Sequence, residues 1–273
     1  MKTLKATLLI IVCLLSSLSI SMAGSAQYSN DAPNFTPEEI VHFSKTIEKI
    51  LAERKAAVAI VGRIGRPQRE LPKGIRFTHT AFWVYSRIQT PEGKIVPGYS
   101  VYNLYQRGDQ PDRSDLIQDF PVDFMLGVYD LKVGIIVPNK TLQKRLIDVI
   151  YSATYQSLHN PDYSAIASPY NNQYQNCTEF VINIIFASIY KTNNMQDIKS
   201  SVKAWFVPQR VDVSRLKLAL GSLFMPDIKL DDHHDKPVTA TFSTIVEFLE
   251  DENLSEGLLI VSNDDPLPKF SLE

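Results

Sequence analysis

Asn176-Cys-Thr-Glu-Phe-Val181 opens an apolar stretch in which Phe180, Val181, Ile184, Ile185 and Ile189 recur at helical spacing. The spacing predicts a helix from about residue 176, and Cys177 stands in its first turn, ahead of the apolar stripe. Unpaired amide N–H groups and the positive end of the helix dipole favour a thiolate at such a position. The same groups suit an oxyanion on an attacked carbonyl. A thiol placed there for chemistry needs a base, and the rest of the chain decides which.

Upstream, Thr36-Pro37-Glu38-Glu39 reads as an N-cap, a proline in the first turn and a glutamate three residues after the cap. A helix is expected from there to about Lys55, with Ile40, Phe43, Ile47, Ile50 and Leu51 on one face. Strands are expected over Ala56 to Val61, Phe77 to Ile88, Tyr99 to Gln106 and Val133 to Val137, with turns at Gly62-Arg-Ile-Gly-Arg-Pro67 and Thr90-Pro-Glu-Gly93. Asn139 caps a further helix that runs to about Leu158, where Asn160-Pro161 stops it. Beyond Lys191 the pattern gives helices near 197–206, 212–222 and 242–250 and a short strand at Leu258 to Val261. This order predicts an α+β fold, an antiparallel sheet packed against helices. Residues 36–190 form the core, and 191–273 form a C-terminal, mostly helical extension packed on it.

The 28 basic residues are balanced by 30 acidic ones, so no basic excess exists to grip nucleic acid. Lys2 and Lys5 followed by the apolar run Leu8 to Leu18 and the small residues Ser21 and Ala23 read as an export signal cleaved after Ala23. The run is too short for a comfortable membrane span. Residues 1–23 are therefore expected to be removed, 24–35 to be a flexible mature terminus, and the protein to be periplasmic or secreted. Cys13 leaves with the signal, so Cys177 has no partner for an intramolecular disulfide.

Among the five histidines, His42 and His159 are explained by a helix surface and a helix end. His233 and His234 sit in Asp231-Asp-His-His-Asp235, whose adjacent imidazoles point apart, so a solvated loop is expected and no metal or other cofactor is called for. His79 begins the apolar strand Thr78-His-Thr-Ala-Phe-Trp-Val84, where a histidine needs a polar reason. It is the base expected to face Cys177 across a cleft between the sheet and the cysteine helix. A third group orients such an imidazole. Asn103 and Gln106 on the next strand both qualify, and since they lie three positions apart only one can face His79.

Histidine before cysteine resembles the circularly permuted papain-like hydrolases, and Asn176-Cys-Thr-Glu-Phe-Val181 resembles the Asn-Cys-x-x-Phe-Val stretch of lecithin:retinol acyltransferase relatives, kin of the NlpC-type peptidases. More closely, Gly62 to Pro67, Leu71-Pro-Lys-Gly-Ile-Arg-Phe-Thr-His79, Leu158-His-Asn-Pro-Asp-Tyr-Ser164 and Tyr174-Gln-Asn-Cys177 are similar to the uncharacterised bacterial family DUF2145. The resemblance implies a permuted papain-like core. It also selects Asn103 as the third residue, because the matching position in that family often carries a histidine, as in NlpC-type enzymes. Cys177 as nucleophile, His79 as base and Asn103 as orienting group then imply a hydrolase or acyltransferase acting on an amide or ester, with a peptide, cell-wall or lipid-type substrate. The other expectation is an envelope binding protein that keeps the fold without catalysis.

Overall fold

The computed structural model describes residues 34–211 and 226–264. The expected signal 1–23, most of the expected flexible terminus and the helix expected at 212–222 lie outside the described residues.

Helix α1 (Pro37–Glu53) starts as its sequence dictates: Thr36 Oγ1 accepts from the Glu39 amide at 3.2 Å, and Glu39 accepts from the Thr36 amide at 2.8 Å. Its stripe of Ile40, Phe43, Ile47 and Leu51 is buried, each side chain contributing about 1.5–3 kcal/mol relative to exposure. Strands β1 (Val58–Ile64), β2 (His79–Gln89) and β3 (Ile95–Gln106) follow, all antiparallel neighbours. The β2–β3 hairpin is tighter than the apolar pattern suggests, with pairing extending to Gln89↔Ile95. Its turn uses Gly93 at φ 78°, a left-handed conformation that glycine adopts without strain.

Strand β4 (Ser114–Asp119) and helix α2 (Pro121–Met125) have no counterpart in the apolar pattern. Ser-Asp-Leu-Ile-Gln-Asp carries little strand propensity, and pairing with β3 at the sheet edge supplies what propensity does not. After β5 (Asp130–Pro138), the expected single helix divides into α3 (Lys140–Ile150) and α4 (Ala153–Ser157). Ser152 is the reason: its hydroxyl accepts from the Thr154 amide at 3.2 Å, a cap that competes with helix continuation. Helix α5 (Cys177–Tyr190) is followed by α6 (Met195–Trp205), the two-residue ladder of β6 (Gln209–Arg210) with β7 (Val238–Thr239), α7 (Phe242–Asp251) and β8 (Ser255–Ser262).

The six long strands form one antiparallel sheet in the order β4-β3-β2-β1-β5-β8. Helices α1 and α2 cover one face against Ala81, Trp83, Val101 and Ile135. Helices α3, α5, α6 and α7 cover the other against Ile60, Phe82, Leu104 and Ile136. The C-terminal segment supplies both an edge strand and a helix that docks by shape. Gly62 and Gly134 face each other on β1 and β5, and a Cβ on Gly134 would lie 2.4 Å from the Phe242 ring. The bare backbone of these two glycines is the seat of α7.

Candidate active site

The β2–β3 ladder stops at Phe82↔Tyr102, while β2 still pairs with β1 to His79 and β3 still pairs with β4 to Gln106. Between these limits β2 and β3 are not paired with each other, and side chains bridge the opening. His79 Nε2 and Asn103 Oδ1 are 3.0 Å apart. Gln106 goes elsewhere, donating to the Pro111 carbonyl at 2.8 Å and to Asp227 at 3.2 Å. Strand alternation thus puts Asn103, and not Gln106, on the imidazole.

The bridge continues. Asn103 Nδ2 donates to Asp119 Oδ1 at 2.7 Å, and the Tyr105 hydroxyl donates to Asp119 Oδ2 at 3.0 Å. The Tyr105 ring stacks on His79 at 4.7 Å and 17°, with Phe124 on α2 tilted against it at 5.4 Å. Arg63, the register partner of His79, donates to the Phe124 carbonyl and lies 5.8 Å from the Tyr105 ring centre. Gly127 makes room for it, since a Cβ there would meet the guanidinium at 2.7 Å. Arg63, His79 and Asn103 are completely buried.

Cys177 enters from the helix side. Asn176 caps α5, its Oδ1 accepting from the Glu179 amide at 2.9 Å and from Thr178 Oγ1 at 2.8 Å. Its Nδ2 donates to the Ala165 carbonyl at 3.2 Å and to Thr239 Oγ1 at 3.1 Å, tying the helix start to β7. The backbone amide of Thr80, the residue after His79, is among the groups that favour the ionised Cys177 sulfur. The imidazole itself packs with Tyr105 and Phe124, on the α2 side of the sheet, whereas α5 packs on the opposite face. The imidazole and the helix that carries the thiol therefore lie on opposite faces of the sheet, and no Cys177–His79 hydrogen bond is present among the described residues.

Burial dominates the electrostatics. It pushes the Cys177 thiol up to about 11, against the opposing pull of the Thr80 and Thr178 amides and of Arg63. The helix N-terminus does not make a resting thiolate here, contrary to the sequence expectation, because a thiolate 4% exposed loses more hydration than the dipole returns. Burial, with Arg63 second, holds His79 well below the usual imidazole range, and its bond to Asn103 opposes this. Burial also raises Asp119 to about 7, with Asp123 adding to the rise and Tyr105, Arg63 and Asn103 resisting it. The resting pair is a neutral thiol and a neutral imidazole.

Sequence reasoning missed Arg63, Tyr105 and Asp119. Arg63 carried a signal, a charge inside the apolar run Val58 to Ile64, but the glycines around it read as a turn. It also missed a second buried cluster, in which Lys199 on α6 donates to Glu179 and, at 3.1 Å, to Asn183 of α5. The acidic run near His233 is a brace: Asp232 accepts from the Ser168 amide at 2.7 Å, and His233 Nε2 lies 3.0 Å from the Ile166 carbonyl. That segment borders a cavity of about 1700 Å³ whose described lining includes none of Cys177, His79 and Asn103.

A six-stranded antiparallel sheet between two helical layers, with a buried Arg-His-Asn-Asp-Tyr cluster where two central strands part, defines the class: an α+β protein with a candidate thiol site at the sheet opening. The family described as "Uncharacterized protein conserved in bacteria (DUF2145)" matches residues 50–249, and the chain belongs to that family. The match spans every residue of the cluster. No curated protein and no solved structure matches the chain. Among the described residues no helix is long and apolar enough to cross a membrane.

Proposed function

We propose that this is an exported, papain-like thiol hydrolase or acyltransferase acting on an amide or ester, with peptidoglycan peptides the favoured substrate class. One observation carries the reading. His79 is bonded through Nε2 to Asn103, its Nδ1 has no partner among the described residues, and the amide of the next residue, Thr80, favours the ionised Cys177 sulfur. In the reaction Sγ attacks the substrate carbonyl as its proton passes to Nδ1, and backbone N–H groups at the start of α5 receive the oxyanion. The imidazolium then protonates the departing amine or alkoxide, leaving a thioester on Cys177. Water, or an acceptor hydroxyl or amine, gives its proton to His79 as it attacks the thioester; the C–S bond breaks, and the imidazolium returns the proton to the departing Cys177 sulfur as the acyl group is released. Neutral resting partners suit this sequence, since the proton moves only as the bond to carbon forms.

Iodoacetamide labelling followed by intact mass tests it. Cys177 should be alkylated in the folded protein, and His79→Ala should slow labelling on the order of 100-fold at a temperature where the variant, destabilised by the cavity beside Tyr105 and Phe124, is still folded. Equal rates in the two proteins would sink the hydrolase. Full burial and the raised thiol favour a second reading, a non-catalytic envelope binding protein. That reading expects no adduct until the chain unfolds.

A further inference from the structure

We infer that Asp119 is a positioning residue that acts through Asn103 to hold His79 in the Nε2–H tautomer, so that the Nδ1 lone pair is the base. The inference rests on the thiol-hydrolase reading for its purpose, but its geometry stands alone. An asparagine amide has a donor end and an acceptor end of nearly equal shape, and its neighbours decide which way it turns. Asp119 is an acceptor when ionised and sits 2.7 Å from Asn103 Nδ2. That claims the donor end, so Asn103 Oδ1 is the atom 3.0 Å from His79 Nε2. Two lone pairs cannot bond, so Nε2 carries the hydrogen. The carboxylate is itself held, because Tyr105 donates to its other oxygen at 3.0 Å while stacking on the imidazole it helps to orient.

The groups acting on Asp119 come from four elements: Arg63 on β1, Tyr105 and Asn103 on β3, Asp123 on α2 and Tyr155 on α4. Arg63 favours the ionised carboxylate and Asp123 opposes it. A protonated Asp119 has one acceptor fewer for its two donors, which frees Asn103 to turn. Because Asp119 is raised to about 7 while His79 lies well below its usual range, the carboxyl takes its proton before the imidazole does.

Histidine-labelled protein and long-range 1H–15N correlation spectra, with His79→Gln for assignment, read the tautomer without substrate. Above about pH 8, where Asp119 is ionised, His79 should be Nε2–H. Asp119→Ala should give a mixture or the Nδ1–H form, and Asp119→Asn, which like the protonated acid offers one acceptor oxygen for the two donors, should loosen Nε2–H in the same direction. An Nδ1–H wild type, or an unchanged Nε2–H form in Asp119→Ala, overturns the inference. Should Asp119→Ala fail to fold, the wild-type titration decides: a change in the His79 pattern with a midpoint near 7 supports the role, and an invariant pattern overturns it. An inert Cys177 beside an Nε2–H His79 that responds to Asp119 would sink the hydrolase and leave this inference standing.

Discussion

The two buried polar clusters lie on opposite sides of the sheet and are built on different principles. Between α5 and α6, Glu179 and Lys199 form a contact ion pair, with Asn183 bonded to both and the Pro169 carbonyl taking another ammonium proton at 3.2 Å. At the sheet opening, His79 is neutral and belongs to a directed chain, Asn103 to Asp119 to Tyr105, in which each bond has a required donor. Glu179 Oε2 in the first and His79 Nδ1 in the second have no hydrogen-bond partner among the described residues. The first belongs to a carboxylate whose other oxygen already holds the cation. The second is the ring nitrogen opposite the one bonded to Asn103. An ion pair fixes where helices sit, whereas a chain of neutral donors fixes where a proton sits.

The sharpest way to break the contrast is to remove one half of the ion pair. Lys199→Ala leaves Glu179 buried and uncompensated and should cost about 3–5 kcal/mol in urea unfolding, whatever happens at Cys177. A loss no larger than that of an exposed pair would mean that the Glu179 cluster is not the anchor of α6.

A smaller effect is expected in the other cluster. Gly127→Ala puts a methyl group against the Arg63 guanidinium and should cost about 1–3 kcal/mol by overpacking. It should also displace His79 resonances, since Arg63 faces Tyr105 and acts on His79. Unchanged resonances with lowered stability would separate the glycine's packing role from the site.

The third contrast is gradual, spread over pH, and its sign follows from linkage. Asp119 is raised from an ordinary carboxylate value to about 7, so the folded state binds its proton more tightly than the unfolded chain does. Its contribution is therefore fully present below the unfolded value and is lost as pH climbs to about 7. Asp119→Asn should gain on the wild type across that window, by at most about 1.4 kcal/mol per pH unit, and run parallel to it above. Buried His79, lowered, acts in the opposite sense, weakening both proteins below the usual imidazole value. A difference between the two proteins that stays flat from acid to neutral pH would remove Asp119 from the titrating cluster.

Local chemistry made much of the fold legible. The capping box at Thr36, the cap at Asn139, the apolar stripes of α1 and α5 and the hairpin turn at Gly93 each act over a few residues, and their signals survive in the sequence. Cys177 reads as a first-turn residue of a helix that begins near 176, and the helix does begin there. His79 reads as a strand histidine in need of a polar partner, and the alternation that separates Asn103 from Gln106 is a property of any extended chain.

Tertiary structure decided the rest. Polar β4 is a strand because β3 offers its edge, and β8 joins the sheet because Gly62 and Gly134 leave room for Phe242. Arg63, Tyr105 and Asp119 come from three strands, and no spacing rule brings them together on one imidazole. The protonation of Cys177 is the clearest case. Its helix position, readable from sequence, favours a thiolate, while its burial, which only packing creates, favours the thiol; burial prevails because desolvating a charge outweighs the partial charges of a few amides.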